Sequence, residues 1–189
     1  SVTLFTMAIV TLFYGSLSDR YGRRPVLLGG LALFVIGSAL SAFAGSVVVL
    51  IAGRVIQAIG AGCGLTLSRA IARDAYGPEA LVKAIAYLTM AYTIGPMIAP
   101  TLGGVLLDVL GWRAVFWFAL IAGAAILGGV YLVLFETRHK SEGAAPPGRV
   151  LAHYAMLLSD GRFLAYVLQS GAMSFAFFAI AAASPLLMK

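Results

Sequence analysis

Charge is what this chain has least of. Only 11% of its 189 residues are charged, while 61% are hydrophobic. A soluble domain carries about 25% charged residues, so a water-soluble globule is excluded. Cysteine occurs once, as Cys63, which rules out an internal disulfide and leaves the redox compartment unread. Histidine occurs twice, at His139 and His153, with no second cluster of ligand-type residues beside them. No metal site is expected there, and no cofactor. The chain offers no nucleophile–base pair and no phosphate-cradling glycine loop. An enzyme, and an ATP-driven pump, are therefore disfavoured. Acids are scarcest of all: Asp19, Asp74, Glu79, Asp108, Glu136, Glu142 and Asp160 fall near connections, none in mid-span.

What is abundant is uninterrupted apolar sequence. Six runs stand out, roughly 1–17, 26–44, 47–68, 84–107, 114–135 and 162–183. Each approaches the ~20 residues a helix needs to cross a ~30 Å hydrocarbon core. Barrel strands would alternate in ~10-residue segments, which these runs do not. The expectation is an all-α polytopic membrane protein with the lipid bilayer as its solvent. The chain opens inside an apolar run without an initiator Met, so it reads as an internal piece whose partner is the missing remainder of the same polypeptide.

The net charge of +6 does not indicate nucleic acid. Arg20, Arg23, Arg24, Arg69, Arg73, Lys83, Arg138, Lys140, Arg149 and Arg162 all fall in alternate connections, whereas the other side holds Arg113 and Lys189. Excess Lys and Arg in short loops marks the cytoplasmic face. The turn at 19–24 and the segments 69–83 and 136–162 are then cytoplasmic, and the turns at 45–46 and 108–113 external. The connection 136–161 contains Pro146, Pro147 and Gly148 and reads as a linker between two bundles. That gives boundaries of 1–135, 136–161 and 162–189. Within the linker, Val150, Leu151, Tyr154, Leu157 and Leu158 share one helical face, which fits either a surface helix or a tether.

One turn occurs twice. Gly15-Ser-Leu17-Ser-Asp19-Arg20-Tyr-Gly22-Arg23-Arg24 is echoed 89 positions later by Gly104-Val-Leu106-Leu-Asp108-Val-Leu-Gly111-Trp-Arg113. Asp occurs four times in all, so two aligned Asp residues with four further identities exceed what composition produces. Three apolar runs separate the copies, which places them on opposite membrane faces. That arrangement is the mark of an inverted-topology repeat, and it points to a transporter.

Asp19 sits where a helix ends, against the negative end of the macrodipole. It needs compensation from Arg23, Arg24 or another helix, and such a charge relay can form in one conformer and break in another. The plainer reading is a positively charged anchor. The Gly15–Arg24 pattern resembles the cytoplasmic signature of the major facilitator superfamily, in which the acid and arginines latch the transporter. Arg54-Val-Ile-Gln57-Ala-Ile-Gly60 resembles the fourth-helix motif of the same family, whose Arg serves proton coupling. Arg54 lies about 12 Å into its span at 1.5 Å per residue. There it either faces a wet cavity or snorkels outward. Arg54, Gln57, Ala61, Gly64 and Ser68 share one face, with Ile56, Ile59, Cys63 and Leu67 opposite.

The fourth run carries Gly95, Pro96, Ala99, Pro100, Gly103 and Gly104. It resembles the fifth-helix motif of drug–proton antiporters, with Ala99 where many members have Gly. Its prolines remove two backbone donors and its glycines permit close packing, which suits a hinge or an ion seal; a generic Gly/Pro-rich span is the alternative. Gly111-Trp112-Arg113, Glu136-Thr137, Arg69 to Asp74 and Ser184-Pro185 are similar to the Bcr/CflA bicyclomycin-resistance subfamily. The resemblance implies a major-facilitator-type helical bundle with 3+3 inverted repeats, incomplete, covering helices two to seven. It implies a proton-coupled exporter of drugs or small metabolites in the inner membrane of a bacterium, with small-molecule substrate and protons as partners. A sugar or nutrient symporter and a non-transporting receptor remain as alternatives. Tyr87, Tyr92, Tyr166, Phe175 and Phe178 either line a pocket or face lipid.

Overall fold

The computed structural model describes residues 2–137, 156–157 and 159–187. The chain divides into two compact units, Ser1–Ala144 and Ala145–Lys189, and the division falls inside the 136–161 connection. Among the described residues the long helices are, in order, α1 (Val2–Tyr21), α2 (Arg23–Ala42), α3 (Val47–Ala75), α4 (Pro78–Leu110), α5 (Trp112–Val133) and α6 (Gly161–Leu187). Among the described residues there is no strand. α1 to α5 are each long and apolar enough to cross a membrane.

Two helices outrun their apolar segments. α3 has 29 residues and α4 has 33, about 43 and 50 Å long at 1.5 Å per residue. The 69–83 segment, expected to be a connection, is helical except at Tyr76 and Gly77. Hydrophobicity marks only where lipid ends. Alanine and arginine continue a helix into water, and Pro78 opens the next one at a position where its missing N–H costs nothing.

The repeated turns are each a single glycine. Gly22 (φ 102°, ψ 155°) separates α1 from α2, and Gly111 (φ 81°, ψ 172°) separates α4 from α5. They are the only positive-φ residues among those described. A side chain is strongly disfavoured in this backbone region, so the helix reverses without a loop.

In the first unit, α2 is central. It packs against α3 on one side and α5 on the other, while α1 lies on α3. The α2–α3 contact is made by backbone. Gly30 and Gly37 on α2 face Gly53 and Gly60 on α3. A Cβ on Gly37 would overlap the Gln57 backbone nitrogen, and one on Gly60 would overlap that of Phe34. Beside this seam lie Val26, Leu27, Cys63 and Leu67, with Tyr14 of α1 closing the cluster. The Tyr14 hydroxyl donates to the Ile59 carbonyl at 2.8 Å. Gly123 fits α5 against the Phe34 ring, 2.7 Å from where its Cβ would stand. α4 buries none of its described side chains.

In the second unit, Asp160 caps α6: its Oδ1 accepts from the Arg162 N–H at 2.9 Å. The surface helix or tether read from 149–160, and both histidines, lie largely or wholly outside the described residues.

A side chain in the α2–α3 seam must displace backbone, so Gly60→Val should cost about 1–3 kcal/mol or more. The expected result is a lower thermal midpoint and loss of monodisperse protein in detergent. Gly29→Ala, with nothing within 4 Å of its Cβ, should leave both unchanged.

Candidate functional site

Polar side chains gather at two places, near opposite ends of α2. At its start stands Arg23, with only 6% of its surface exposed. Its Nε donates to Asp74 Oδ2 at 2.8 Å, and its Nη1 lies 2.6 Å from Asp19 Oδ1 and 2.5 Å from Ser18 Oγ. Asp19 is in the last turn of α1 and Asp74 is in the last turn of α3. Arg23 thus answers the two acids that the ends of those helices disfavour, and joins three helices through one guanidinium.

The same turn is held from α5. Glu136 accepts the N–H of Arg23 at 2.9 Å and of Arg24 at 3.2 Å, one oxygen each. α2 has no side-chain cap of its own, so this carboxylate supplies it from 113 residues away. Gly22 leaves room for it, since a Cβ there would sit 2.6 Å from Glu136 Oε2. Arg24 does not join the acids. Its Nη2 donates to the Tyr131 carbonyl at 2.8 Å, with its Cζ 5.6 Å from the Tyr131 ring centroid. Arg20 lies over Tyr21 on its own helix. Gly15, expected to allow close helix approach, has nothing within 4 Å of its Cβ position.

The second place is toward the far end of α2. Arg113 Nη2 donates to the Ala44 carbonyl at 3.1 Å, and Phe43 meets Trp117 edge-on at 4.9 Å. Here Arg54 donates through Nη1 to Gln57 Oε1 at 2.8 Å, with its Cζ 5.6 Å from the Phe116 ring centroid. Gln57 Nε2 donates to Ser38 Oγ at 2.8 Å. Helical spacing puts Gln57 on one face with Arg54, opposite Cys63 and Leu67. It is instead 5% exposed and turned into the α2–α3 seam, because Gly53 and Gly60 place α2 against that edge of α3.

Asp19 and Asp108 sit at opposite ends of the first unit. Asp108 is close in sequence to Arg113, which touches Ala44 just past the end of α2, while Asp19 pairs with Arg23 at its beginning. The 20 residues of α2, about 30 Å long, lie between the Arg23 and Arg113 contacts. The arginines 89 apart behave alike: Arg24 opens α2 and binds a carbonyl near the end of α5, and Arg113 opens α5 and binds one just past the end of α2.

Comparison with known proteins gives the family. The family model described as Major Facilitator Superfamily matches residues 1–189. The chain belongs to the major facilitator superfamily. Members of this superfamily are transporters and not enzymes, and the chain is an integral membrane protein of apolar helices.

Among relatives, it is 35% identical over 165 residues to "Multidrug resistance protein D" of Escherichia coli (strain K12), covering 87% of this chain and 41% of that protein. It is 36% identical over 149 residues to "Multidrug resistance protein MdtL" of Shigella dysenteriae serotype 1 (strain Sd197), covering 79% and 38%. The chain therefore spans about two fifths of the length of these curated relatives. Among solved structures it is similar to the human organic anion transporter MFSD10 (TETRAN), with TM-score 0.66 and 29% identity over 78% of this chain and 34% of that one. It shares the fold of the peptide transporter POT, with TM-score 0.63, 18% identity, and 97% and 37% coverage.

Within this major facilitator chain, the 95–104 motif stands apart from both clusters. α4 remains helical through Pro96 and Pro100. No described atom lies within 4 Å of a Cβ at Gly95, Gly103 or Gly104. The glycines read as packing sites have no partner in the described unit, and the tight glycine contact is between α2 and α3 instead. Sequence reasoning missed Ser18 and Glu136 as members of the Arg23 cluster, and Asp74 as its second acid. Asp74 carried a signal: an acid at the end of a run, one connection from an arginine turn.

Removing one partner from a buried ion pair costs about 3–5 kcal/mol when the remaining charge is left unanswered. Arg23 keeps Asp19, so Asp74→Asn should cost less, about 2 kcal/mol. Asp108→Asn, whose carboxylate has no ion-pair partner among the described residues, should cost under about 0.5 kcal/mol. Thermal unfolding in detergent, followed by a thiol- or tryptophan-reporting dye, reads the difference.

Proposed function

We propose that this chain is part of a proton-coupled exporter of drugs or small metabolites in a bacterial inner membrane. It would contribute helices two to six of the first half, the linker at 136–161 and the first helix of the second half, as an incomplete set of 3+3 inverted repeats. Transport proceeds by alternating access, with substrate near the midplane between two halves. The observation that carries the reading is the Arg23 cluster. A buried arginine shared between acids on two other helices at one membrane face is a charge relay whose making and breaking biases one conformer. Relatives named as multidrug resistance proteins support efflux over sugar or nutrient uptake.

In this reading Gly15, Asp19, Arg20, Gly22, Arg23 and Arg24 form the cytoplasmic latch, with Asp74, Ser18 and Glu136 added to it. Arg54 and Gln57 serve coupling. Gly95 to Gly104 give α4 a face left open for a mobile partner, consistent with a seal or hinge. Asp108, Gly111 and Arg113 form the external turn of the repeat. The matched glycine backbones and reciprocal arginine contacts support that repeat.

Asp19→Asn in the intact transporter should shift the inward/outward balance and reduce efflux about tenfold, since ~1.4 kcal/mol between two states is a tenfold change. Asp108→Asn should be milder. Site-directed accessibility labelling together with efflux from loaded vesicles checks both, and unchanged labelling with unchanged efflux would reduce the turn to a topological anchor.

Arg54→Lys keeps the charge but loses the planar fork. Proton-driven efflux should fall strongly while substrate binding without a gradient falls less. Near-normal efflux would remove Arg54 from coupling, because a lysine snorkels equally well.

A further inference from the structure

We infer that Ser38 is a positioning residue for Arg54, acting through the side-chain amide of Gln57. The inference deepens the coupling role proposed for Arg54, and its test does not depend on that role. Three hydrogen bonds form one chain across α3 and α2. Arg54 Nη1 donates to Gln57 Oε1 at 2.8 Å, Gln57 Nε2 donates to Ser38 Oγ at 2.8 Å, and Ser38 Oγ donates to the Phe34 carbonyl at 2.7 Å. A guanidinium at one end can only donate, and a backbone carbonyl at the other can only accept. Gln57 and Ser38 do both. Only one direction of the chain therefore satisfies all four groups. Reversing the Gln57 amide would aim its N–H groups at the guanidinium and set donor against donor.

Ser38 holds that direction. It is fully buried and Gln57 nearly so, which leaves water little access to substitute for the serine. The reach is short because Gly37, next to Ser38, lets the helices close until a Cβ would meet the Gln57 backbone. Arg54 is then pinned on two sides, by Gln57 within α3 and by the Phe116 face from α5. Its remaining N–H donors are left for a carboxylate or other anionic group, and no described carboxylate pairs with it. Ser38 touches neither Arg54 nor that anionic group. It decides where the fork points.

The test labels arginine with phenylglyoxal in the intact transporter in lipid vesicles, and reads each site by peptide mass spectrometry. Ser38→Ala frees the amide to turn, so Arg54 should react about fivefold faster, the change expected for losing one net hydrogen bond. Arg24 and Arg113, held by backbone carbonyls at both ends of the bundle, should react as before. Adding Gln57→Glu should return Arg54 to its original rate without Ser38, because a carboxylate accepts whichever way it turns. An unchanged Arg54 rate in Ser38→Ala overturns the inference. So does a rise that Gln57→Glu leaves in place, or one shared with Arg24 and Arg113. Labelling needs no substrate or proton gradient, so normal efflux by Arg54→Lys would end the coupling reading and leave this result standing.

Discussion

The approach of α2 to α3 decides where every polar group in the bundle can go. Hydrocarbon gives no hydrophobic drive for helices to associate, so packing and interhelical hydrogen bonds must hold them. Gly30, Gly37, Gly53 and Gly60 bring two backbones into contact along the seam. At one end the seam places Asp74 within 2.8 Å of Arg23, and toward the other it places Gln57 within 2.8 Å of Ser38. A wider seam would leave those groups without partners in a low-dielectric interior, where an unpaired polar group is costly. The glycines and the hydrogen bonds are therefore one design. α2 and α3 form a closely packed pair.

The two turns share a backbone and differ in chemistry. Gly22 and Gly111 have nearly the same conformation, and Arg24 and Arg113 each grip the far end of the other's helix. The position that holds Arg23 in the first copy holds Trp112 in the second. Among the described residues Asp108 accordingly finds no cation where Asp19 finds one. α2 also receives a carboxylate cap from Glu136, whereas α5 has no side-chain cap. The start of α2 thus holds arginine paired with acids, and its far end holds arginine on a backbone carbonyl beside an aromatic contact.

The helices were legible because a membrane span announces itself by apolar length, and the turns because glycine and aspartate recur at fixed offsets. The ends of α3 and α4 were not legible, since hydrophobicity reports lipid and says little about where a helix stops in water. Local spacing offered Arg23 and Arg24 as partners for Asp19 beside another helix, and Arg23, four residues on, is the one it meets. Asp74 and Glu136 lie 51 and 113 residues from Arg23, and no local pattern joins them. Gln57 was misplaced for a related reason. Helical periodicity gives the angle between side chains, but the seam that fixes which angle is buried depends on glycines of a second helix.

Glu136 ties the end of α5 to the start of α2. It stands three residues past the end of α5 and holds the first N–H groups of α2. The turn that contains Arg23 is therefore fixed from two directions, by acids on its side chain and by an acid on its backbone. Pulling α5's end away from α2 would remove the cap, loosen the first turn and misplace the Arg23 guanidinium between Asp19 and Asp74. Breaking the ion pairs would in turn leave Glu136 capping a helix whose start is free to shift. The two sets of bonds support each other at one turn, and they meet there because a glycine is small enough to let a distant carboxylate reach the backbone.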